Sequence, residues 1–360
     1  MTNIPEPDWG SLPMPEEYTP TAMRVVGVAE PQGTTKRFLA SSHVGRQPDT
    51  TPEDLESHIK AERDGLIKAI RLPWWKLNMK IGNGLLPGNV TIITGTPGTS
   101  KSYLALNILL AAGRLGFRWR LLPLEDNAQT WILKTLAVNI DSWRLVSQPE
   151  NDDERRTLGN YKLGCLDEHR DFVAECHQNI SENPRMPLSA YGEKVVMDVG
   201  YEDVLRFVEN EAEDSHLICI DPISQITFDP DGRDYRGQAD FMRRLVAIAA
   251  SSLAHILLVA HNAKQQYRGN GDSVDGVQGS AMLGRLAHNI LTLNRHDPSI
   301  EDEIYSTYTS TIQHKLTLTV TKSRNGITGE KFAFDLSEYG PTFKEHGLIK
   351  FAAQKRRIGQ

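Results

Sequence analysis

The sequence has few cysteines and no long run of apolar residues. Its 360 residues include only Cys165, Cys176 and Cys219, and three scattered thiols do not form a disulfide framework. The longest apolar runs, such as 108–112 and 256–260, are far shorter than the roughly 20 residues that cross a bilayer. The first residues lack the pattern of a signal peptide. These absences predict a cytoplasmic protein whose fold depends on its apolar core.

The sequence also lacks an excess of positive charge. It has 40 Lys and Arg residues against 46 Asp and Glu residues, a formal net charge of −6. Because the overall charge does not attract nucleic acid, any DNA or RNA contact must lie on particular loops. Apolar residues at 39% and charged residues at 24% are close to globular averages, which excludes a wholly disordered or fibrous chain. The length allows one large domain with appendages or two modest domains.

The start of the chain differs in composition from the rest. Eight of the 19 prolines lie within residues 1–52, among small and polar residues, and this composition predicts a flexible, disordered tail. Apolar residues then recur at helical spacing from Leu55 to Ile70. This spacing predicts an amphipathic linker helix over 53–71.

Alternating strand and helix patterns follow the linker. Strands are predicted at 90–94, 118–122, 217–220, 256–259 and 290–293, and helices at 102–112, 130–139 and 239–253. The alternation predicts an α/β domain over 72–340 with a mainly parallel β-sheet that is flanked by helices on both faces. The segments 315–321 and 331–336 favour an extended hairpin. Residues 341–360 are expected to form a C-terminal extension with a basic end.

The most informative segment lies between the first strand and the first helix. It comprises Gly95, Thr96, Pro97, Gly98, Thr99, Ser100, Lys101 and Ser102. In such a phosphate-binding loop, the backbone N–H groups surround phosphates, the lysine reaches the β- and γ-phosphates, and the following hydroxyl binds Mg²⁺. Lys101 and Ser102 match these two positions, whereas Ser100 stands where the pattern expects glycine. The alternative is an ordinary glycine turn before a helix.

Polar residues end three of the predicted strands, at the edge where parallel sheets hold their ligands. Asp221 is the candidate for orienting Mg²⁺, or it is a simple turn residue. Glu125 is the candidate base that activates water, while Asp126 is a candidate helix cap. His261 is positioned to contact a γ-phosphate, although a histidine at a strand end is more often structural.

These motifs occur in the order seen in a known family, together with the segments 279–283 (Gly-Ser-Ala-Met-Leu) and 322–326 (Lys-Ser-Arg-Asn-Gly). Over residues 72–337 the chain resembles the RecA-like hexameric replicative helicases, the DnaB-like group with its phage and plasmid relatives. The resemblance implies a RecA-like P-loop NTPase core that uses ATP and Mg²⁺ to move 5′ to 3′ along single-stranded DNA and unwind duplex. It also implies that Lys322 and Arg324 act on nucleotide bound by the neighbouring subunit.

The resemblance further implies partners. By position, the loops over 224–237 and 263–279 would line a DNA channel, and their candidate DNA-binding residues are Arg233, Arg236, Lys264 and Arg268. A homo-oligomer, in the form of a hexameric ring, is expected, with a separate primase or loader because the chain has no primase module. Two alternatives remain: a RecA- or RadA-like recombination ATPase that forms filaments, and a helicase-loading factor with little turnover.

Overall fold

The computed structural model describes residues 51–63, 68–147, 151–185, 198–228, 234–261, 281–305 and 310–354. The contacts divide the chain after Ile67 into two units. The predicted tail over 1–52 lies almost entirely outside the described residues. No described helix is both long enough and apolar enough to cross a bilayer.

The described part of the first unit is helix α1 (Pro52–Arg63). Its start follows from the sequence, because Thr51 and Asp54 exchange hydrogen bonds in the manner of a capping box and Pro52 suits the first helical position. The predicted linker helix over 53–71 is therefore too long. Residue Ile70 instead pairs with Leu85 through two backbone hydrogen bonds of 2.9 Å in the second unit.

The second unit contains the α/β domain. Its described helices are α2 (Trp75–Lys80), α3 (Lys101–Arg114), α4 (Ala128–Ile140), α5 (Asp152–Glu168), α6 (Arg170–Asn179), α7 (Tyr201–Glu211), α8 (Asp234–Ser252) and α9 (Ala281–Leu286). Its described strands are β1 (Val90–Gly95), β2 (Trp119–Pro123), β3 (Val199–Gly200), β4 (Leu217–Asp221), β5 (Ile226–Thr227), β6 (His255–Val259), β7 (Asn289–Arg295), β8 (Ile300–Tyr305), β9 (Ser310–Ile312), β10 (Leu316–Ser323), β11 (Lys331–Leu336) and β12 (Phe343–Gln354).

Ten of these strands form one sheet in the order β2-β4-β6-β1-β7-β10-β11-β12-β8-β9. The first five are parallel to one another. Strands β1, β4 and β6 are buried at every residue, and alternate residues enter different cores. Ile93 packs in the cluster that contains Leu104 of α3, whereas Ile92 packs in the cluster that contains Phe241 of α8. Helices therefore cover both faces, which confirms the α/β prediction.

The remaining five strands extend the sheet in antiparallel pairs. The predicted hairpin over 315–336 is present as β10 and β11. The predicted domain end at residue 340 is wrong, because β12 pairs with both β11 and β8 inside the same sheet. A long strand with partners on both sides belongs to the domain, so 341–360 is not an appendage as far as Gln354.

Candidate nucleotide-binding site

The phosphate-binding loop follows β1 and is held by short backbone approaches. A side chain on Gly95 would collide with the carbonyl oxygen of Leu293, so this position requires glycine. Thr99 is buried and its hydroxyl donates to the carbonyl of Thr96 at 2.8 Å. The Lys101 ammonium donates to the same carbonyl at 2.9 Å. The loop thus holds its lysine across its own turn, at the N-terminus of α3.

Ser100 has the backbone conformation that glycine adopts most easily. Its φ of 65° and ψ of 32° lie in the left-handed region, directly before the first residue of α3. An L-residue is about 1–2 kcal/mol less stable in this region than in the right-handed one. The serine therefore keeps the loop geometry of a glycine and adds local strain.

We expect Ser100→Gly to raise the free energy of unfolding by up to about 1 kcal/mol, because the strain is relieved while the flexible glycine stabilises the unfolded chain in part. Urea unfolding and ATP titration measure the two consequences. Leu253→Gly is the matched control, since Leu253 has a φ of 62° outside the nucleotide site. Both changes should stabilise the fold, but only Ser100→Gly should alter ATP affinity. A less stable Ser100→Gly variant would contradict the strain argument.

The acid at the end of β4 lies beside the loop. Asp221 is 1% exposed, and burial raises its pKa to about 7, although a hydrogen bond with the Ser102 side chain opposes the rise. Its Oδ2 atom is buried and has no hydrogen-bond partner among the described residues. A buried carboxylate oxygen without a partner, next to a serine hydroxyl, fits the oxygen ligands that Mg²⁺ prefers.

Three further charged groups face this acid. Burial lowers the pKa of Lys101, while Asp221 and Glu125 oppose that shift. Glu125 is exposed at the end of β2 and lines the same cavity as Asp221 and Lys134. Lys134 also forms an ion pair with Asp126. The sequence thus places opposite charges around the position where phosphates would bind.

The interpretation of Asp126 as a helix cap is wrong. The residue that caps α4 is Asn127, whose side-chain oxygen accepts a hydrogen bond of 2.8 Å from the backbone N–H of Thr130. Asp126 instead binds Lys134, which lies further along the same helix. Sequence alone does not decide between adjacent Asp and Asn residues, since both are good caps.

His261 follows β6 and lines the same cavity. Burial and the positive charge of Lys101 lower its pKa, so the ring is neutral near pH 7. Its Nδ1 atom is buried without a hydrogen-bond partner in the described part of the chain. A neutral imidazole with an unused nitrogen is able to exchange a hydrogen bond with a ligand or with its water.

The cavity between these groups has a volume of about 330 Å³. It is lined by Pro97, Gly98, Ser100, Lys101, Ser102, Tyr103, Glu125, Lys134, Asp221, Pro222, Val259 and His261. The structure therefore brings the predicted loop, acid, base and histidine together at one edge of the sheet. A site of this size is within the range of small-molecule pockets.

Lys322 and Arg324 lie elsewhere. Lys322 donates to the carbonyls of Gly284 and Arg285 at 3.0 and 2.6 Å, and Arg324 contacts the carbonyl of Leu286 at 3.4 Å. Both side chains thus lie at the C-terminus of α9. Burial, followed by the charge of Arg324, lowers the pKa of Lys322.

The loop that carries these two residues is fixed by glycines. A side chain on Gly326 would collide with the carbonyl of Lys80, and the backbone N–H of Ile327 donates to that carbonyl at 2.8 Å. On the other side, a Cβ on Gly82 would lie 2.7 Å from the carbonyl oxygen of Asn325. The turn after α2 therefore sets the position of the segment 322–326.

Of the four predicted DNA-binding residues, the structure describes one. Arg236 is exposed in the first turn of α8. Arg233, Lys264 and Arg268 lie outside the described residues.

Sequence reasoning missed two cations near the loop. Arg295 ends β7, and its guanidinium donates to the carbonyl of Gly98 at 3.3 Å. Lys134 is the single charged residue of α4. Each had a signal: Arg295 follows a predicted parallel strand, and a lone charge in an apolar helix indicates a position that faces a polar site.

A phosphate loop after the central strand, with a buried acid two strands away, defines a P-loop ATPase with a RecA-like α/β core. The chain belongs to the AAA domain family, whose model matches residues 56–267. No curated protein matches the sequence. With this family and this site, the chain is an ATP-hydrolysing P-loop enzyme.

Two solved structures are similar in fold. One is the ATPase domain of a phage helicase, with a TM-score of 0.57 and 13% identity over 82% of this chain and 99% of that one. The other is a DnaB-like replicative helicase, solved with attention to its interactions with primase, with a TM-score of 0.56 and 13% identity over 82% of this chain and 67% of that one. These comparisons confirm the resemblance in fold to DnaB-like helicases of the RecA type.

Proposed function

We propose that this ATPase assembles head to tail into a ring, a hexamer by resemblance, and couples ATP hydrolysis to 5′ to 3′ movement on single-stranded DNA and to duplex unwinding. One observation carries the proposal. The segment with Lys322 and Arg324 lies at the end of the sheet opposite to the chain's own phosphate loop.

The strand register supports this placement. Lys322 pairs with Ile290 and Ser323 with Asn289, and Asn289 is level with Thr91 near the start of β1. The phosphate loop leaves the other end of β1, after Gly95. At about 3.3 Å per residue, these two levels are separated by about 13 Å along the strand. Arg324 lies still further from the loop, since its N–H bonds to the carbonyl of His288.

An arginine in that position can serve only nucleotide that is bound by another copy. A contact in which one surface of a subunit meets a different surface of the next generates a closed ring or an open filament. The ring is favoured by the Lys-Ser-Arg-Asn-Gly segment, which resembles that of the ring helicases. The filament is the corresponding prediction for a RecA-like recombination ATPase.

Within each site, the residues have separate roles. Lys101 and the loop N–H groups bind the phosphates of ATP, while Ser102 and Asp221 would hold Mg²⁺, which neutralises charge between the β- and γ-phosphates when bound. Glu125 accepts the proton of the attacking water. His261 hydrogen-bonds near the γ-phosphate and so responds to hydrolysis.

DNA contacts are proposed for the segments beyond the ends of β4 and β6. Arg236 lies at the start of α8, after β4, and Arg233, Lys264 and Arg268 complete the candidate set. Guanidinium and ammonium groups bind phosphates without regard to sequence, which suits a protein that moves along DNA. A separate primase or loader is proposed as a further partner.

The first test is the rate of ATP hydrolysis at low salt with and without single-stranded DNA, with Lys101→Ala as the inactive control. We expect strong stimulation by DNA, followed by unwinding of a forked duplex with a free 5′ tail. Closed particles in electron micrographs support the ring, and open filaments favour the recombination ATPase. ATP binding without hydrolysis in either condition would overturn the motor and favour a loading factor.

A further inference from the structure

Two histidines and one aspartate meet in the antiparallel half of the sheet. His296 directly follows β7, Asp302 lies on β8, and His314 lies two residues before β10. Asp302 and His314 are buried, with 2% and 5% of their surface exposed. These three residues have no role in the proposed ATPase mechanism.

The potential ligand atoms of these residues converge. Asp302 Oδ2 lies 3.2 Å from His314 Nε2 and 3.6 Å from His296 Nδ1, and all three atoms lie within 4.8 Å of one another. The hydroxyl of Thr317 marks their common centre, at 2.9 Å from His314 Nε2 and 3.3 Å from His296 Nδ1. The nitrogens therefore face one point, beside one carboxylate oxygen.

These distances suit a small divalent ion. In tetrahedral coordination by ligands at about 2.0–2.1 Å, neighbouring donor atoms are about 3.3–3.4 Å apart. The two distances to the carboxylate, 3.2 and 3.6 Å, lie on either side of that value. Two imidazoles and a carboxylate form a ligand set that first-row transition metals prefer over Mg²⁺ or Ca²⁺.

An ion would have a path to these atoms. His296, Asp302 and Thr317 line a cavity of about 540 Å³ that opens at the surface, together with Glu330 and Lys331. A carboxylate that is buried to this extent is costly unless a cation compensates its charge. A second orienting contact is already present, since His296 Nε2 lies 3.0 Å from the carbonyl oxygen of Ile300, as is usual for histidines that bind metals.

We propose that His296, Asp302 and His314 bind one divalent transition metal ion with the preferences of Zn²⁺. The ion joins the end of β7 and the approach to β10 to β8, which lies at the far side of the antiparallel strands. Its role is structural: it ties the segment between β7 and β10 to the rest of the sheet. Water or the Thr317 hydroxyl completes the coordination.

The test is titration of the full-length, metal-stripped protein with Co²⁺ as a spectroscopic probe, in excess Mg²⁺ to occupy the nucleotide site. We expect one equivalent to bind with the visible bands of a tetrahedral nitrogen and oxygen site, and Zn²⁺ to displace it. Asp302→Asn and His314→Ala should each weaken binding by at least about 100-fold, more than a change outside the ligand shell. His346→Ala is the matched control, since His346 forms a separate pair with Asp335 at 3.1 Å.

A second readout is thermal unfolding. Zn²⁺ should raise the melting temperature of the wild type and of His346→Ala, because an ion that binds only the folded state stabilises it, and should leave Asp302→Asn unchanged. Failure of the wild type to bind Co²⁺ or Zn²⁺ overturns the proposal and leaves a hydrogen-bonded cluster. Equal binding by Asp302→Asn and the wild type overturns it as well. Neither result bears on the ATPase, which is measured separately.

Discussion

Mixing two inactive variants, Arg324→Ala and Lys101→Ala, is expected to restore ATP hydrolysis. Alone, each should hydrolyse ATP about 10³-fold more slowly than the wild type or worse, since loss of an arginine finger costs about 10³–10⁵ in rate. Arg324→Ala should still bind ATP, because its own loop is intact. In a mixture, a site from one variant meets an arginine from the other.

At equal concentrations, about one interface in four pairs an intact loop with an intact arginine if the subunits exchange freely. The double variant Lys101→Ala, Arg324→Ala provides the control, because it supplies neither group and should not rescue Arg324→Ala. Rescue followed by steady-state hydrolysis distinguishes action between subunits from action within one chain. If the mixture stays inactive although mixed oligomers form, the assignment of Arg324 is wrong.

Asp221→Asn is expected to give a protein that is more stable but inactive. Hydrolysis should fall by about 10³-fold, since the carboxylate that orients Mg²⁺ is lost. In the folded chain the pKa of Asp221 is about 7 against an ordinary 3.8, so the ionised form is destabilised by about 4 kcal/mol at most. The amide removes this penalty, and we expect a gain of about 2–4 kcal/mol in unfolding free energy above neutral pH.

The sign of the pH dependence follows from the raised pKa. Below about pH 4 the carboxyl is protonated in both states, so the wild type has no ionisation penalty. Between about pH 4 and pH 7 the unfolded chain loses the proton while the folded chain keeps it, and the stability of the wild type falls as pH rises. Urea unfolding at pH 5 and pH 8 should therefore show a larger advantage of Asp221→Asn at pH 8. Asp167→Asn, at an exposed position, should show no such trend; an advantage independent of pH would contradict the burial argument.

The sequence predicted the parallel half of the sheet well because its strands are short apolar runs between helices and its polar residues follow the strand ends. Asp221, Glu125 and His261 could be placed near Lys101 by that rule alone. The antiparallel half was predicted in part, because β8 contains charged residues among its apolar ones and β12 is a long strand interrupted by polar residues and Gly347. Such patterns are typical of loops as much as of strands.

The left-handed backbone of Ser100 could not be predicted from its identity, since serine disfavours that conformation; it follows from the geometry of the loop. The position of Lys322 and Arg324 depended on strand register. An irregularity between Val320 and Lys322 shifts the pairing of β10 with β7, and a shift of one residue turns every later side chain to the other face. Register is a property of the folded sheet and is not visible in the local sequence.

The separation of Lys322 and Arg324 from the loop that binds nucleotide has a consequence for the isolated chain. A single subunit in solution holds ATP without the group that completes the reaction, so it does not consume fuel. Specific activity should therefore rise with protein concentration until every subunit has a neighbour. An open chain of subunits always leaves one site at its end incomplete, whereas a closed one leaves none. Hydrolysis is thus a report that assembly has finished, and a cell that makes this protein in small amounts wastes little ATP before the machine is whole.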